Sequence, residues 1–124
     1  MEITDKRVVV TGAASGIGKA LVHAFKEAGA GAVVAVDIDA EGVEQAAQEI
    51  GGLAIAANVA NEEDIQKVIQ EANDYAGGID IFCSNAGIAG VPGFIEMETS
   101  DWQNIWEINV MSHIFAAKHV IPQM

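Results

Sequence analysis

Short apolar runs alternate with longer stretches of helical periodicity along the whole chain. The four runs lie at residues 8–11, 32–36, 53–57 and 79–84, and the first two consist of valine and alanine with one threonine. Runs this short and this apolar are typical of parallel strands that are buried on both faces. The order β-α-β-α-β-α-β-α predicts an α/β fold, a doubly wound parallel sheet with helices on both faces and right-handed crossovers. A length of 124 residues suits one such domain.

Glycine pairs and a capping residue mark the ends of the predicted helices. The pairs at 51–52 and 77–78 follow the second and third helical stretches, as expected of residues that adopt a left-handed conformation at a helix C-terminus. Asn61 precedes the acidic triplet 62–64, so it is predicted to cap a helix whose first turn carries the favoured negative charge. A loop containing Pro92 then leads to the last helix.

A glycine-rich segment with the sequence T-G-A-A-S-G-I-G, residues 11–18, joins the first strand to the first helix. Gly12 permits a tight turn, Gly16 lets the backbone approach a bulky anion, and Gly18 allows the helix to pack closely on the sheet. The N–H groups at the helix start, around Ser15 and Ile17, then face a pyrophosphate with the helix dipole behind them. The segment therefore predicts phosphate binding, and a turn needed only for packing is the alternative.

Asp37 ends the second predicted strand. At the carboxyl edge of the sheet, its side chain can accept hydrogen bonds from both hydroxyls of an adenosine ribose. Its charge would repel a 2′-phosphate, and neither Ser15 nor the neighbouring Ile38 is basic. We therefore expect NAD rather than NADP as the cofactor. The alternative is a solvated acid at a strand end.

Three motifs resemble those of the short-chain dehydrogenases/reductases. Residues 11–18 are similar to the family's T-G-x-x-x-G-I-G fingerprint, Asn85-Ala86-Gly87 is similar to its N-A-G motif, and Asn109-Val110 resembles its helix asparagine. The resemblance implies a single Rossmann-like NAD(P)-binding domain over residues 1–124, with strands in the order 3-2-1-4. It also implies hydride transfer between NAD and an alcohol or carbonyl carbon.

The same resemblance implies roles for further residues. Asn58 and Val59 would contact adenine, although the family usually has an aspartate in place of Asn58. Asn85-Ala86-Gly87 would line the crevice beside the cofactor, and the alternative is that this motif only shapes the turn. Asn109 would hold a water of a proton relay, and an amide satisfied inside the core is the alternative.

The catalytic serine and the Y-x-x-x-K pair of the family lie beyond a fifth strand, whereas this sequence ends at Met124. Tyr75 is its single tyrosine and is followed four residues later by Ile79, so it cannot replace the pair. We therefore expect the isolated chain to bind NAD(H) without turning over an alcohol. One alternative is a non-enzymatic, dimeric nucleotide-binding or interaction module with a flavodoxin-like outline. Another is an unproductive truncated form whose cofactor site is blocked.

The last predicted helix, capped by Thr99 or Ser100 and running toward Pro122, is apolar around nearly its whole circumference. One predicted stripe comprises Trp102, Ile105, Trp106, Asn109, His113, Ala116, Ala117 and Val120, and the opposite side carries Ile108, Met111, Ile114, Phe115 and Ile121. A helix of this kind is either deeply buried or docked on a partner. Together with the open edge of the fourth strand, it predicts a homodimer formed through the last helix and that edge.

The composition argues against several classes of partner. Six Lys and Arg residues against 18 Asp and Glu residues give a formal net charge of −12, which disfavours nucleic acids and anionic membrane surfaces. The single cysteine, Cys83, rules out an internal disulfide and fits a reducing compartment. No apolar stretch approaches membrane-spanning length and no secretory signal is present, so a cytoplasmic location is expected. The three histidines lack metal-ligand spacing, and no metal site is expected.

Overall fold

The computed structural model describes residues 1–90 and 93–124, and Pro92, predicted to lie in a loop, falls outside them. The strands are β1 (Arg7–Thr11), β2 (Ala32–Asp37), β3 (Leu53–Ala56) and β4 (Ile81–Cys83). The helices are α1 (Gly16–Glu27), α2 (Ala40–Ile50), α3 (Glu62–Ala76), α4 (Thr99–Trp106) and α5 (Ser112–Val120). A π-helical turn at Glu107–Met111 joins α4 to α5, and a 3-10 turn at Ile121–Gln123 follows α5.

The four strands form one parallel sheet in the order β3-β2-β1-β4. In the middle of the sheet, Val8 of β1 lies beside Val33 of β2 on one side and Ile81 of β4 on the other. This confirms the predicted doubly wound α/β fold, and the strand order is the one that the family resemblance implied.

Strand β1 is buried on both faces, because apolar helices cover each side of the sheet. Val9 packs in the core formed with α3 and α5, whereas Val8 and Val10 point the opposite way into the core formed with α1 and α2. All three side chains are at most 1% exposed. Since successive strand residues face opposite sides, only an uninterrupted apolar run can satisfy both cores, which explains the valine sequence.

The helix termini largely follow the sequence pattern. Asn61 caps α3, and its Oδ1 accepts hydrogen bonds from the N–H groups of Glu63 at 2.9 Å and Asp64 at 3.3 Å. Helix α4 differs, because its N-cap is Glu98 rather than the predicted Thr99 or Ser100. The Asp101 side chain accepts a hydrogen bond from the Glu98 N–H at 2.9 Å, which starts the helix earlier than the hydroxyl residues suggest.

The fourth strand is shorter than predicted, because a side chain replaces part of its ladder. Asp80 receives hydrogen bonds from Arg7 Nε and Nη2, both at 2.8 Å, and its Oδ2 also accepts the Arg7 backbone N–H at 2.9 Å. That N–H would otherwise extend the pairing of β1 with β4. The guanidinium hydrogen bonds hold the pKa of Asp80 well below its usual range.

The last helical segment buries only part of the predicted stripe, and it also buries a polar residue outside that stripe. Ser112, Ala116 and Val120 are buried, whereas Trp102 and Trp106 are exposed. Ser112 can enter the core because its hydroxyl donates to the Ile108 carbonyl at 2.6 Å. The π-helical turn also rotates α4 relative to α5, so a single helical period cannot describe both. Within the described part of the chain, no helix is long and apolar enough to cross a membrane.

Candidate functional site

A cavity of about 410 Å³ lies at the carboxyl ends of the strands, the usual ligand-binding edge of an open α/β sheet. All the residues predicted to bind the cofactor line it, namely Gly12, Ser15, Gly16, Ile17, Gly18, Asp37, Ile38, Asn58, Val59, Asn85, Ala86 and Gly87. Three further residues, not predicted from the sequence to bind the cofactor, also line it: Ala57, Ile88 and Ile108. These three carry no polar group in their side chains, so no motif distinguishes them from core residues.

The glycine-rich turn brings the start of α1 against the end of β1. Gly12 and Gly16 have φ angles of 71° and 53°, which most side chains disfavour. Gly18 lies so close to the turn that a Cβ placed on it would be 1.9 Å from the Gly12 carbonyl oxygen. Ser15, at the N-cap, forms no side-chain capping bond, and the first N–H groups of a helix have no intrahelical partner. These donors border the cavity and can bind an anion.

Two backbone N–H groups hold the Asp37 carboxylate at the end of β2. Ala14 N–H donates to Oδ2 at 3.0 Å, and Asp39 N–H donates to Oδ1 at 3.1 Å. These contacts restrict the side chain, and each oxygen keeps lone-pair capacity for a ligand hydroxyl. Among the described residues that line the cavity, none is basic. The nearby Lys19 pairs instead with Glu49, at 3.0 Å.

Thr11 ties β1 to the loop that follows β4, a role that sequence reasoning missed. Its Oγ1 accepts hydrogen bonds from the N–H groups of Asn85 at 3.0 Å and Ala86 at 3.1 Å. The Asn85 side chain returns the contact by donating to the Thr11 carbonyl at 2.9 Å. The sequence did offer a signal for this role. Thr11 directly precedes the first glycine of the turn, so its hydroxyl lies at the carboxyl end of a central strand, where it can bond to the neighbouring loop.

Asn109 lies beside a second, more open cavity of about 460 Å³, which shares Asn85, Ala86, Gly87 and Ile88 with the first. Its Oδ1 accepts the Ile88 N–H and its Nδ2 donates to the Ile88 carbonyl, both at 2.8 Å. The amide therefore clamps the loop after β4 onto the π-helical turn. His113 lies one turn further along, and its Nδ1 is 2.5 Å from Ser84 Oγ. Both contacts fasten the same loop to the last helical segment.

The Asn58 side-chain oxygen bonds to the backbone two residues further along the chain. Oδ1 accepts the Ala60 N–H at 3.0 Å, and the Asn58 N–H donates to Asp64 Oδ2 at 3.0 Å. The residue is exposed and lines the cavity.

Among the described residues, the titratable side chains outside the two cavities form neither a metal site nor a reactive thiol. Within residues 1–90 and 93–124, no group of three or more His, Cys, Asp or Glu side chains could hold a metal ion. Cys83 is half-buried in β4, and burial raises the pKa of its thiol, which keeps it protonated and weakly nucleophilic at neutral pH.

The strand order and the position of the cavity define this chain as a Rossmann-type α/β domain. Its sequence matches the family model of the short chain dehydrogenases over residues 6–124. The chain belongs to that family.

Individual relatives support the assignment. The chain is 34% identical to 1-deoxy-11-beta-hydroxypentalenate dehydrogenase of Streptomyces exfoliatus, covering 100% of this chain and 47% of the relative. It is 37% identical to the NAD-dependent glycerol dehydrogenase of Listeria innocua, covering 98% and 48%. The crystal structure of a 3-ketoacyl-(acyl-carrier-protein) reductase from Brucella melitensis, complexed with NADH, superposes with a TM-score of 0.94 at 34% identity, covering 98% of this chain and 51% of that one. The chain thus spans about half the length of the relatives it matches.

Proposed function

We propose that this chain is the cofactor-binding part of an oxidoreductase that transfers hydride between NAD and an alcohol or carbonyl carbon. The observation that carries this proposal is the convergence of the glycine-rich turn, Asp37 and Asn85-Ala86-Gly87 on one cavity. Relatives named as dehydrogenases and reductases, one of them complexed with NADH, support it. A cytoplasmic location, favoured by the single Cys83, is part of the same proposal.

The cavity residues have distinct tasks in this function. The first N–H groups of α1, beyond Ser15, bind the pyrophosphate. The Asp37 carboxylate accepts hydrogen bonds from the ribose hydroxyls. The loop Asn85-Ala86-Gly87, held by Thr11, forms the floor on the β4 side. The bound cofactor supplies or accepts the hydride. Asn109 acts as a positioning residue for the proton relay, through the loop backbone that it clamps.

NAD is preferred over NADP because of the charge at the ribose end. Asp37 is held in place by two N–H groups, so it cannot swing away from a 2′-phosphate without losing both bonds. Lys19, the nearest cation in sequence to the glycine-rich turn, is paired with Glu49 and is not a cavity-lining residue. A phosphate at this position would therefore meet a carboxylate without a compensating cation.

Calorimetric titration with NADH and NADPH tests this proposal. We expect saturable NADH binding, with NADPH weaker by about tenfold or more, which corresponds to about 1.4 kcal/mol. Asp37→Ala should weaken NADH binding by about 10- to 100-fold, because charge-assisted hydrogen bonds to the ribose are lost. The same variant should also reduce the difference in affinity between NADH and NADPH.

Glu71→Ala is the matched control, since it removes an exposed carboxylate of α3 that lines neither cavity. It should leave both affinities unchanged. Equal affinity for NADH and NADPH, or an Asp37→Ala variant that binds like the parent protein, would overturn the choice of NAD. No binding of either cofactor at millimolar concentration would overturn the oxidoreductase proposal. It would favour a non-enzymatic module or a blocked site instead.

The protein is further proposed to form a homodimer through the last helical segment and the β4 edge. Trp106 and Ile114 are 57% and 49% exposed, although both are large apolar residues. Strand β4 pairs with β1 on one side and has no strand on its other side within the described residues. Adjacent apolar helix surface and an open strand edge together favour association with a second copy.

Light scattering across a concentration series tests the dimer. We expect the mass of a dimer or larger assembly, and Ile114→Glu should shift it toward the monomer because a charge cannot be buried unpaired. Asn104→Glu, an exposed polar position of α4, should leave the mass unchanged. A monomer at every concentration would contradict the proposal.

A further inference from the structure

The Asp37 carboxylate is oriented by residues that do not themselves line the cavity. Its two N–H donors belong to Ala14, in the glycine-rich turn, and to Asp39, the N-cap of α2. Neither Ala14 nor Asp39 lines either of the two cavities. The direction of the carboxylate therefore depends on how the glycine-rich turn and the start of α2 are placed relative to each other.

Asp39 connects the start of α2 to Asp37 through two consecutive turns. Its N–H donates to Asp37 Oδ1 at 3.1 Å, and its own Oδ1 accepts the Gly42 N–H at 3.1 Å. Its carbonyl accepts the Val43 N–H at 2.9 Å. The side-chain cap holds the Asp39 backbone in an extended conformation, with a φ of −77° and a ψ of 95°. In this conformation the Asp39 N–H bonds to Asp37.

Gly42, in the first turn of α2, lies between the two residues that donate to Asp37. A Cβ placed on it would be 2.4 Å from Asp39 Oδ2 and 3.0 Å from the Cβ of Ala14. To accommodate it, the Asp39 carboxylate must leave its cap or the start of α2 must move away from Ala14. Either change displaces one of the two N–H groups that hold Asp37.

The backbone conformation of Gly42 does not itself call for glycine. The residue is helical and is not among the glycines with a positive φ. Glycine is less favourable than alanine inside a helix. The space between Asp39 and Ala14 is therefore the physical reason for a glycine at this position.

We propose that Gly42 and Asp39 are positioning residues that set the choice of cofactor through Asp37. The space left by Gly42 lets the capped start of α2 pack against the glycine-rich turn, and the two N–H groups then hold the carboxylate where a 2′-phosphate would lie. A released carboxylate can turn toward solvent, and it then discriminates less between the two cofactors. This role rests on the proposed function, in which Asp37 binds the ribose.

Calorimetric titration of the Gly42→Ala and Asp39→Ala variants with NADH and NADPH tests this role. In each variant, we expect the ratio of the NADPH to the NADH dissociation constant to fall by about three- to tenfold relative to the parent protein. A general loosening of the cavity would weaken the binding of both dinucleotides and leave this ratio unchanged. A thermal melt checks that each variant is folded. If Gly42→Ala does not fold, Asp39→Ala and its control decide.

Asp39→Asn is the matched control, because it removes the charge of Asp39 and keeps an oxygen for the Gly42 N–H. Its ratio should stay within about twofold of the parent value. A fall as large as in Asp39→Ala would assign the effect to the charge of Asp39 and overturn the positioning role.

The remaining outcomes separate this role from the proposed function. If the parent protein prefers NADH and the ratio is unchanged in either folded alanine variant, the positioning role is overturned and the proposed function is left intact. Equal binding of the two dinucleotides by the parent would overturn the role together with the choice of NAD. Binding of neither would overturn the proposed function as well.

Discussion

Replacing Gly18 with alanine is expected to destabilise the protein by about 3 kcal/mol or more, at the upper end of the overpacking range. The new Cβ would be 1.9 Å from the Gly12 carbonyl oxygen and 2.8 Å from Asn85 Nδ2. The Gly12 carbonyl carbon would be 2.5 Å away as well, and these two backbone atoms of Gly12 cannot rotate away as a flexible side chain would. The start of α1 must therefore move off the turn, and the N–H groups that face the cavity move with it. Urea denaturation measures the loss of stability, and NADH titration should show weakened binding.

Gly16→Ala separates this steric effect from the effect of backbone conformation. A Cβ on Gly16 would have no atom within 4 Å beyond its chain neighbours and the backbone of its own helix, but the residue has a φ of 53°. Alanine in a left-handed conformation is disfavoured by about 1–2 kcal/mol, so Gly16→Ala should reduce the free energy of unfolding by less than Gly18→Ala. An equal loss at the two positions would show that the close approach of Gly18 is not the cause.

Sequence reasoning located the cavity because its residues are encoded locally. A glycine-rich turn between a strand and a helix, and an acid at the end of a buried strand, are recognisable without knowledge of tertiary structure. Parallel strands then bring their carboxyl ends to one edge of the sheet, so separate motifs such as Gly12 and Asn85 meet in one place. The order of the strands came from the family resemblance, since periodicity does not specify which strands are neighbours.

The features that sequence reasoning missed depend on contacts between distant residues or on local changes of helical period. The length of β4 depends on Asp80 taking the Arg7 N–H, a contact across 73 positions of the chain. Helices α4 and α5 do not share one helical period because the π-helical turn lies between them, and Ser112 is buried because its hydroxyl bonds to Ile108. A pattern that sorts residues by polarity assigns such a serine to the surface, and it assigns Trp106 to the core.

The role of Thr11 leads to a second large expected effect, because its hydroxyl uses its full bonding capacity. Oγ1 accepts two backbone N–H groups, those of Asn85 and Ala86, and donates to the Cys83 carbonyl at 3.4 Å. The residue is 1% exposed. One side chain therefore satisfies two backbone N–H groups just beyond the end of β4.

Thr11→Val should destabilise the protein by about 2–6 kcal/mol. Valine has nearly the same shape, so the core stays filled, but two partly buried N–H groups lose their acceptor at about 1–3 kcal/mol each. Thr11→Ser is the matched control, because it keeps the hydroxyl and removes one methyl group, for which we expect a loss of about 1 kcal/mol. Urea denaturation compares the variants, and a smaller loss for valine than for serine would contradict this account.

Because the released loop is Asn85-Ala86-Gly87, Thr11→Val should also weaken NADH binding at a temperature where the variant is still folded. Binding at the parent affinity would mean that the loop holds its position without Thr11.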